Sequence, residues 1–413
     1  MSETPDANIQ HRTLYSAVPK PDHVPDDRVV DFDYFHQPGF GKKDVYEVWK
    51  ELQDSSPDII WTPRNGGHWI ATRRDDMKFI QENYKIFSHE EFIIPRGALP
   101  MKMLPLTVDP PLHARYRMVL NPFFRPASVN LMKDKAEALT LDLIHELQPK
   151  GRCEFLNDFA RVMPAIMFFG IADLPLDRRE EFLGWGETFT LSTDPRTKFE
   201  ALDNVTNYLK EIIDQRYKNP GNDILSAVAG WRDSPYYEGE DEVTSLALQV
   251  FFGGLDTVAY LSSFAIRELA SHPHLRQRLV EEPEIMPRAV EEFLRRFGLS
   301  NTGRLVKQDF EFKGVTFKQG DMVMVSNPLG SIDERAYDRP MEIDFDRKDV
   351  VHNTFGNGPH RCVGMHLARL EIGVFLFQWL KHIPEFQLDP EHSTVTHGGH
   401  VVALNELHLM WEQ

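Results

Sequence analysis

A mainly α-helical fold with small β-sheets is what this chain of 413 residues predicts. Three observations carry the expectation. Helix-compatible patterns succeed one another from Pro126 to beyond residue 290, parted by short breaks. Strand-like runs are few and short. No Gly/Ser- or Pro-rich linker and no repeat period interrupts residues 1–413, so one globular unit is expected, with 1–30 as an extended N-terminal arm. Apolar residues at 41% and aromatics at 11% suffice for a sizeable core.

In chain order, the arm is polar and proline-marked. Residues 43–53 read as a short amphipathic helix. Ile59-Ile60-Trp61 and His68 to Thr72, separated by Pro63 to Gly67, read as a hairpin. Asp75 to Tyr84 reads as a helix capped by its leading acidic pair. Residues 88–111 have no period and hold several prolines, and an irregular loop of that length tends to be functional. Leu112 to Leu120 resumes the helix, with His113 and Arg117 four apart on one face. Helices follow over 128–147, 155–171, 176–194, 196–217 and 222–231, with breaks at Pro149-Lys150-Gly151, Leu174-Pro175 and Asn219-Pro220-Gly221. Glu242 to Ser271 is the longest unbroken helical pattern, ended by His272-Pro273. Its middle carries Gly253-Gly254, which implies close approach of another group or a local opening, because each glycine costs about 1 kcal/mol relative to alanine. Glu292 and Arg295, three apart, share a face of the next amphipathic helix. Residues 304–326 alternate apolar and polar around turns at Lys313-Gly314 and Gln319-Gly320, a small antiparallel sheet. Residues 327–354 meander, Met365 to Trp379 is helical, and 392–413 is β-like with His397-Gly398-Gly399-His400 as a turn. No further ligand is spaced to make that turn a metal site.

The formal net charge of −17 argues against nucleic acid as a partner, because phosphate binding needs concentrated Lys and Arg. Two cysteines, Cys153 and Cys362, suggest no disulfide framework and fit a reducing compartment. Residues 1–31 show no signal pattern and no apolar run long enough for a bilayer, so a soluble, cytoplasmic protein with no membrane association is expected. Cys153 reads as structural.

The chemistry concentrates in Phe355-Gly356-Asn357-Gly358-Pro359-His360-Arg361-Cys362-Val363-Gly364. Three glycines, a proline and an aromatic place one cysteine just ahead of a helix N-terminus, where amides and the helix dipole favour a thiolate. The spacing Phe-x-x-Gly-x-x-x-Cys-x-Gly resembles the haem-binding loop of the cytochrome P-450 family. That resemblance implies a triangular prism of helices, haem b (iron protoporphyrin IX) as cofactor and Cys362 as the axial iron ligand. It implies haem contacts at His113, Arg117, Arg304 and His360, the propionate partners, and at Gly253 and Phe355. Phe251-Phe252-Gly253-Gly254-Leu255-Asp256-Thr257 matches the family's oxygen-binding groove, with Thr257 hydrogen-bonding O2 and Asp256 relaying protons as the catalytic pair. Glu292, Arg295 and Arg347 match a buried network bracing the cysteine loop, a structural role.

From about residue 65 onward, phrases such as Gly66 to Arg73, Gly253 to Val258 and Leu294 to Phe297 look like the bacterial camphor 5-monooxygenase subfamily. The implied reaction inserts one atom of O2 into a C–H bond. A 2Fe-2S ferredoxin with its ferredoxin reductase supplies the electrons, and Arg73, Arg74, Lys78, Arg115, Arg117, Arg125 and Arg361 are candidates for its docking patch. The substrate pocket falls at Met101, Met103, Gln249, Phe252, Ser300, His400 and Val401. Met101 stands where the camphor enzymes place a tyrosine for the ketone, and Gln249 and His400 replace apolar positions. Camphor is therefore expected to be poor, and a small hydrophobic terpenoid or norisoprenoid such as an ionone better. Two other readings compete, a peroxide-using haem-thiolate hydroxylase and a non-enzymatic haem protein that binds gases. The Asp256-Thr257 pair speaks against the first, since peroxide use needs no proton relay.

Overall fold

The computed structural model describes residues 16–99, 101–175, 178–191, 195–348 and 350–412. The first half of the expected arm, 1–15, lies outside the described residues. Its second half runs beside the N-terminal hairpin, Val18 N donating to Pro63 O and Val30 N to Trp61 O, both at 2.9 Å.

The helices form where the sequence pattern places them. They span Val45–Ser55, Arg74–Glu82, Leu112–Phe124, Val162–Ile171, Arg179–Leu191, Pro195–Lys218 and Ile224–Ala229. Residues 128–147 divide, however, into Pro126–Asn130 and Lys133–Leu147. The helix at Arg74 takes its cap from far away: Asp333 Oδ2 accepts from Arg74 N at 2.9 Å. Of the local acidic pair expected to cap it, Asp76 instead pairs with Lys313 at 2.7 Å.

Glu240–Ser271 is the long helix, opened by three acidic residues that suit the dipole's positive end. It stays helical through Gly253-Gly254, so the expected opening is not there. Its length and composition would allow it to cross a membrane, but 59% of its apolar window is buried within the protein, as in a core helix. Val258, Phe264, Ile266 and Leu269 pack in one apolar cluster with Phe293, Ile372 and Trp379. Those three belong to the helices Met286–Arg296 and Met365–His382.

Residues 304–326 do more than form a small antiparallel sheet. Phe310–Phe312 and Val315–Phe317 make the hairpin, but Asn301–Val306 and Met322–Ser326 join a mixed five-stranded sheet. The order is Ile59–Thr62, His68–Ala71, Met322–Ser326, Asn301–Val306, Phe87–Ser88. Only the pairing of His68–Ala71 with Met322–Ser326 is parallel, with Trp69 opposite Val323. Both strands are buried throughout, matching their near-continuous apolar runs. The meander 327–354 opens with a short helix, Asn327–Ser331. The C-terminal strands are only two or three residues long, and His408–Met410 pairs with Arg152–Glu154. Cys153 lies there, buried, as suits a structural residue, and burial pushes its thiol up.

Candidate functional site

The cysteine loop runs from Phe355 to Gly364 and hands over to the helix Met365–His382. Gly356 and Gly358 both hold φ +69°. At Gly358 a Cβ would lie 2.7 Å from Gln81 O, so the loop seats on the helix Arg74–Glu82 only with glycine there. Asn357 Nδ2 donates to Gln81 Oε1 at 2.8 Å. Cys362 N donates to Phe355 O at 2.8 Å, which closes the loop. Arg369 lies over the Phe355 ring at 4.7 Å. Cys362 is accessible. Burial pushes the Cys362 thiol up, while the Gly364 amide and the Arg117, Arg369 and Arg361 guanidiniums pull it down.

Beside this loop the structure gathers imidazoles and guanidiniums. His360 lies 4.2 Å from His113, ring centre to ring centre, and stacks on His89 at 4.1 Å. His89 was not foreseen. Its Nδ1 bonds Leu106 O at 2.7 Å, and its partner lies far away in the chain. Arg117 donates to Arg361 O at 2.8 Å. Arg304 donates Nη1 to Thr302 Oγ1 and Gly303 O, at 3.1 and 2.7 Å. Asp109 is the carboxylate of this cluster, accepting from Ser88 Oγ at 2.5 Å and His89 N at 3.1 Å. Burial pushes His113 down to about 3 and Arg304 to about 9, with the neighbouring cations adding to the fall at His113. His113 Nε2 and His360 Nδ1 are buried with no hydrogen-bond partner among the described residues, and His360 Nε2 lies 3.7 Å from the Asp109 carboxylate, too far for a hydrogen bond. Such a surplus of buried donors calls for anions, and the two propionates of a haem set on Cys362 answer it. The donor set fits that cofactor.

Gln249, Gly253 and Thr257 recur every fourth residue, one stripe of the long helix. Gly253 and Thr257 are exposed, while Val258, Ala259 and Tyr260 are buried. Asp256, half-buried, adjoins them. Ser245 Oγ donates to Lys102 O at 2.8 Å and accepts from Leu104 N at 2.7 Å, pinning the loop of Met101 and Met103 to this helix one turn before Gln249. Met101, Phe252 and Val363, the residue after the cysteine, pack on a second apolar cluster that includes Phe251 and Leu248. Ser300 bridges Val401, and its Oγ accepts from Asn327 Nδ2 at 2.9 Å. His400 Nδ1 lies 3.2 Å from Tyr34 Oη, tying the start of the fold to its end.

Glu292, Arg295 and Arg347 meet as the sequence implies. Glu292 accepts from Arg295 Nη2 at 2.6 Å and from Arg347 Nε at 3.1 Å. Next to them Glu291 binds Arg369 and His352, and Thr354 Oγ1 donates to Leu294 O at 2.5 Å, so the helix holds both flanks of the cysteine loop. Of the basic residues expected at a docking face, Arg73 drops out. It is buried and taken by Asp333 and Glu334 at 3.1 and 2.7 Å. Lys78, Arg125 and Arg361 are exposed.

Comparison with known proteins identifies the family. The family profile described as Cytochrome P450 matches residues 188–397. A relative named "Probable cytochrome P450 127A1", from Sinorhizobium fredii, is 31% identical, the match covering 95% of this chain and 97% of that one. Among solved structures, CYP101C1 and CYP101J2 superpose with TM-scores of 0.88 at 33% and 32% identity, each covering 96% of this chain and 100% of theirs.

Proposed function

The chain belongs to the cytochrome P450 family, a haem b enzyme of the monooxygenase class, and we propose that it hydroxylates a small hydrophobic terpenoid or norisoprenoid of the ionone kind with electrons from a 2Fe-2S ferredoxin. When bound, the haem supplies the oxygen chemistry, since thiolate ligation favours O–O cleavage. The chain's own residues bind, orient and deliver protons. Cys362 would bind the iron. Arg117, His113, Arg304 and His360 would hold the propionates, and His89 stiffens the group by stacking on His360. Phe355 supplies the loop carbonyl that orders Cys362 N, and Gly253 would leave room for the cofactor beside the long helix. Thr257 and Asp256 hold and pass protons on the accessible side of the long helix.

The observation that carries the substrate reading is the lining. Met101, Met103 and Phe252 present apolar, deformable surface, and no tyrosine hydroxyl stands at position 101. On this reading Ser300, His400 and Val401 would complete the wall. The ferredoxin reading rests on exposed Arg361, Arg125 and Lys78 in a chain of net charge −17. A soluble, cytoplasmic setting accords with the burial of the long helix.

The test is reconstitution with a ferredoxin, its reductase and NAD(P)H on a terpenoid panel. Hydroxylated product matched to NAD(P)H consumption is expected with ionones, and a red-shifted thiolate absorption in the reduced carbon monoxide complex that Cys362→Ala abolishes. Tight camphor binding with a complete spin-state shift, or turnover surviving Cys362→Ala, would overturn the reading.

A further inference from the structure

We propose that Asp109 holds down the reduction potential of the haem, as a fixed negative charge at the propionate site that no guanidinium cancels. The inference rests on a haem seated at Cys362 and on nothing about the substrate. The backbone O of Asp109 accepts from His113 N at 3.1 Å, in the first turn of Leu112–Phe124. Its side chain is held by a different element. Oδ2 accepts from Ser88 Oγ at 2.5 Å and Oδ1 from His89 N at 3.1 Å, at the end of the strand Phe87–Ser88. Ser88 is fully buried. The carboxylate is thus fixed through both oxygens, beside the stacked rings of His89 and His360. Burial pushes its pKa up, but His360, Ser88 and the His89 amide together take it below the ordinary carboxylate range, so it is ionised at neutral pH.

The charge has no Lys or Arg of its own. Among the described residues no guanidinium or ammonium lies within 4.0 Å of it, and the imidazole of His360 stands at 3.7 Å. Arg117 and Arg304 match the two propionates one to one, which leaves Asp109 as the surplus anion. Its side chain is only 19% exposed, so water and salt screen it in part. Reduction of the iron adds one electron and lowers its charge by one, which a neighbouring anion opposes. Chain reach bounds the distance: His360 is two residues from Cys362, so the carboxylate lies within about 20 Å of the sulfur. At an effective dielectric constant of about 20, a unit charge at about 20 Å moves a one-electron equilibrium about four-fold, and a closer one moves it more.

The test is a mediated potentiometric titration of the haem-loaded, substrate-free protein, with dithionite as the electron source and the ferric spin state read from the same spectra. Asp109→Asn keeps the shape and removes the charge, and Asp109→Ser removes it with a smaller side chain. Ser88→Ala deletes one hydrogen bond and keeps the charge. Both neutral variants are expected to favour the ferrous state about four-fold or more, a rise of about 36 mV at about 59 mV per tenfold, with the spin state unchanged. Ser88→Ala is expected to stay within about two-fold of wild type. A neutral variant that retains haem and keeps the wild-type potential overturns the proposal. So does an equal rise in Ser88→Ala, or a rise that comes with a change of spin state, since packing and not charge would then be the cause. Loss of haem from both neutral variants while Ser88→Ala retains it also overturns the proposal, because the carboxylate would then serve retention. Failure of the ferredoxin or terpenoid reading leaves the outcome untouched, since neither takes part in the measurement.

Discussion

Replacing Glu292 by glutamine isolates the brace behind the cysteine loop. The carboxylate accepts from Arg295 at 2.6 and 3.1 Å, from Arg347 at 3.1 and 3.2 Å and from Asp344 N at 2.9 Å. Its side chain is 1% exposed, that of Arg295 0% and that of Arg347 9%. The substitution keeps the shape and removes the charge, leaving two buried guanidiniums without a counter-ion. Breaking a buried pair in this way costs about 3–5 kcal/mol. Unfolding entropy of about 2.1 cal/mol/K per residue, over 413 residues, gives about 0.9 kcal/mol per degree. A fall in Tm of about 3–6 °C follows. Arg347→Met falls less, because Arg295 keeps its bonds to Ser331 O at 3.0 Å and Glu342 O at 2.8 Å and still ties down the meander. Calorimetry on the haem-loaded protein at low and at 0.5 M salt measures both. A buried pair is screened little, so the loss persists at high salt. If Glu292→Gln melts within 1 °C of wild type with full haem content, or if salt erases the difference, the brace is not what the geometry says.

Removing the imidazole of His89 by His89→Ala takes away the ring stacked on His360, and haem transfer to apomyoglobin is expected to quicken several-fold; an unchanged transfer rate would leave His89 as packing only. Gly358→Ala forces a Cβ to 2.7 Å from Gln81 O at a φ of +69°, so poor haem incorporation and a lower Tm are expected, while Gly230→Ala, whose Cβ would meet nothing within 4 Å, serves as the tolerated control. Burial holds His68 near a pKa of about 4 against an unfolded value of 6.5. Between those values the unfolded chain binds the extra proton, so stability falls as pH drops from 6.5 to 4, by up to about 3 kcal/mol. His68→Phe is expected to flatten urea midpoints over that window, and a parallel pH profile in the variant would refute the assignment.

What could be read in advance was whatever the chain writes locally. The cysteine loop was legible because its glycines and its cysteine act within ten residues. The Glu292 and Arg295 pair was legible because three residues make a helix turn, whereas Arg347 joined them only through the family resemblance. Long-range partners were not legible. Asp333 caps the helix at Arg74, and no local sign distinguishes it from the acidic pair that seemed to do so. The parallel pairing of Trp69 with Val323 depends on two short apolar strands finding each other across most of the chain. His89 escaped notice for the same reason, since a lone histidine after Phe87-Ser88 gains meaning only when His360 stacks on it. The thiol shows the converse limit. A helix N-terminus ahead of a cysteine favours its charge, and the Gly364 amide acts that way here, but burial pushes the thiol up, a packing effect that no local spacing announces.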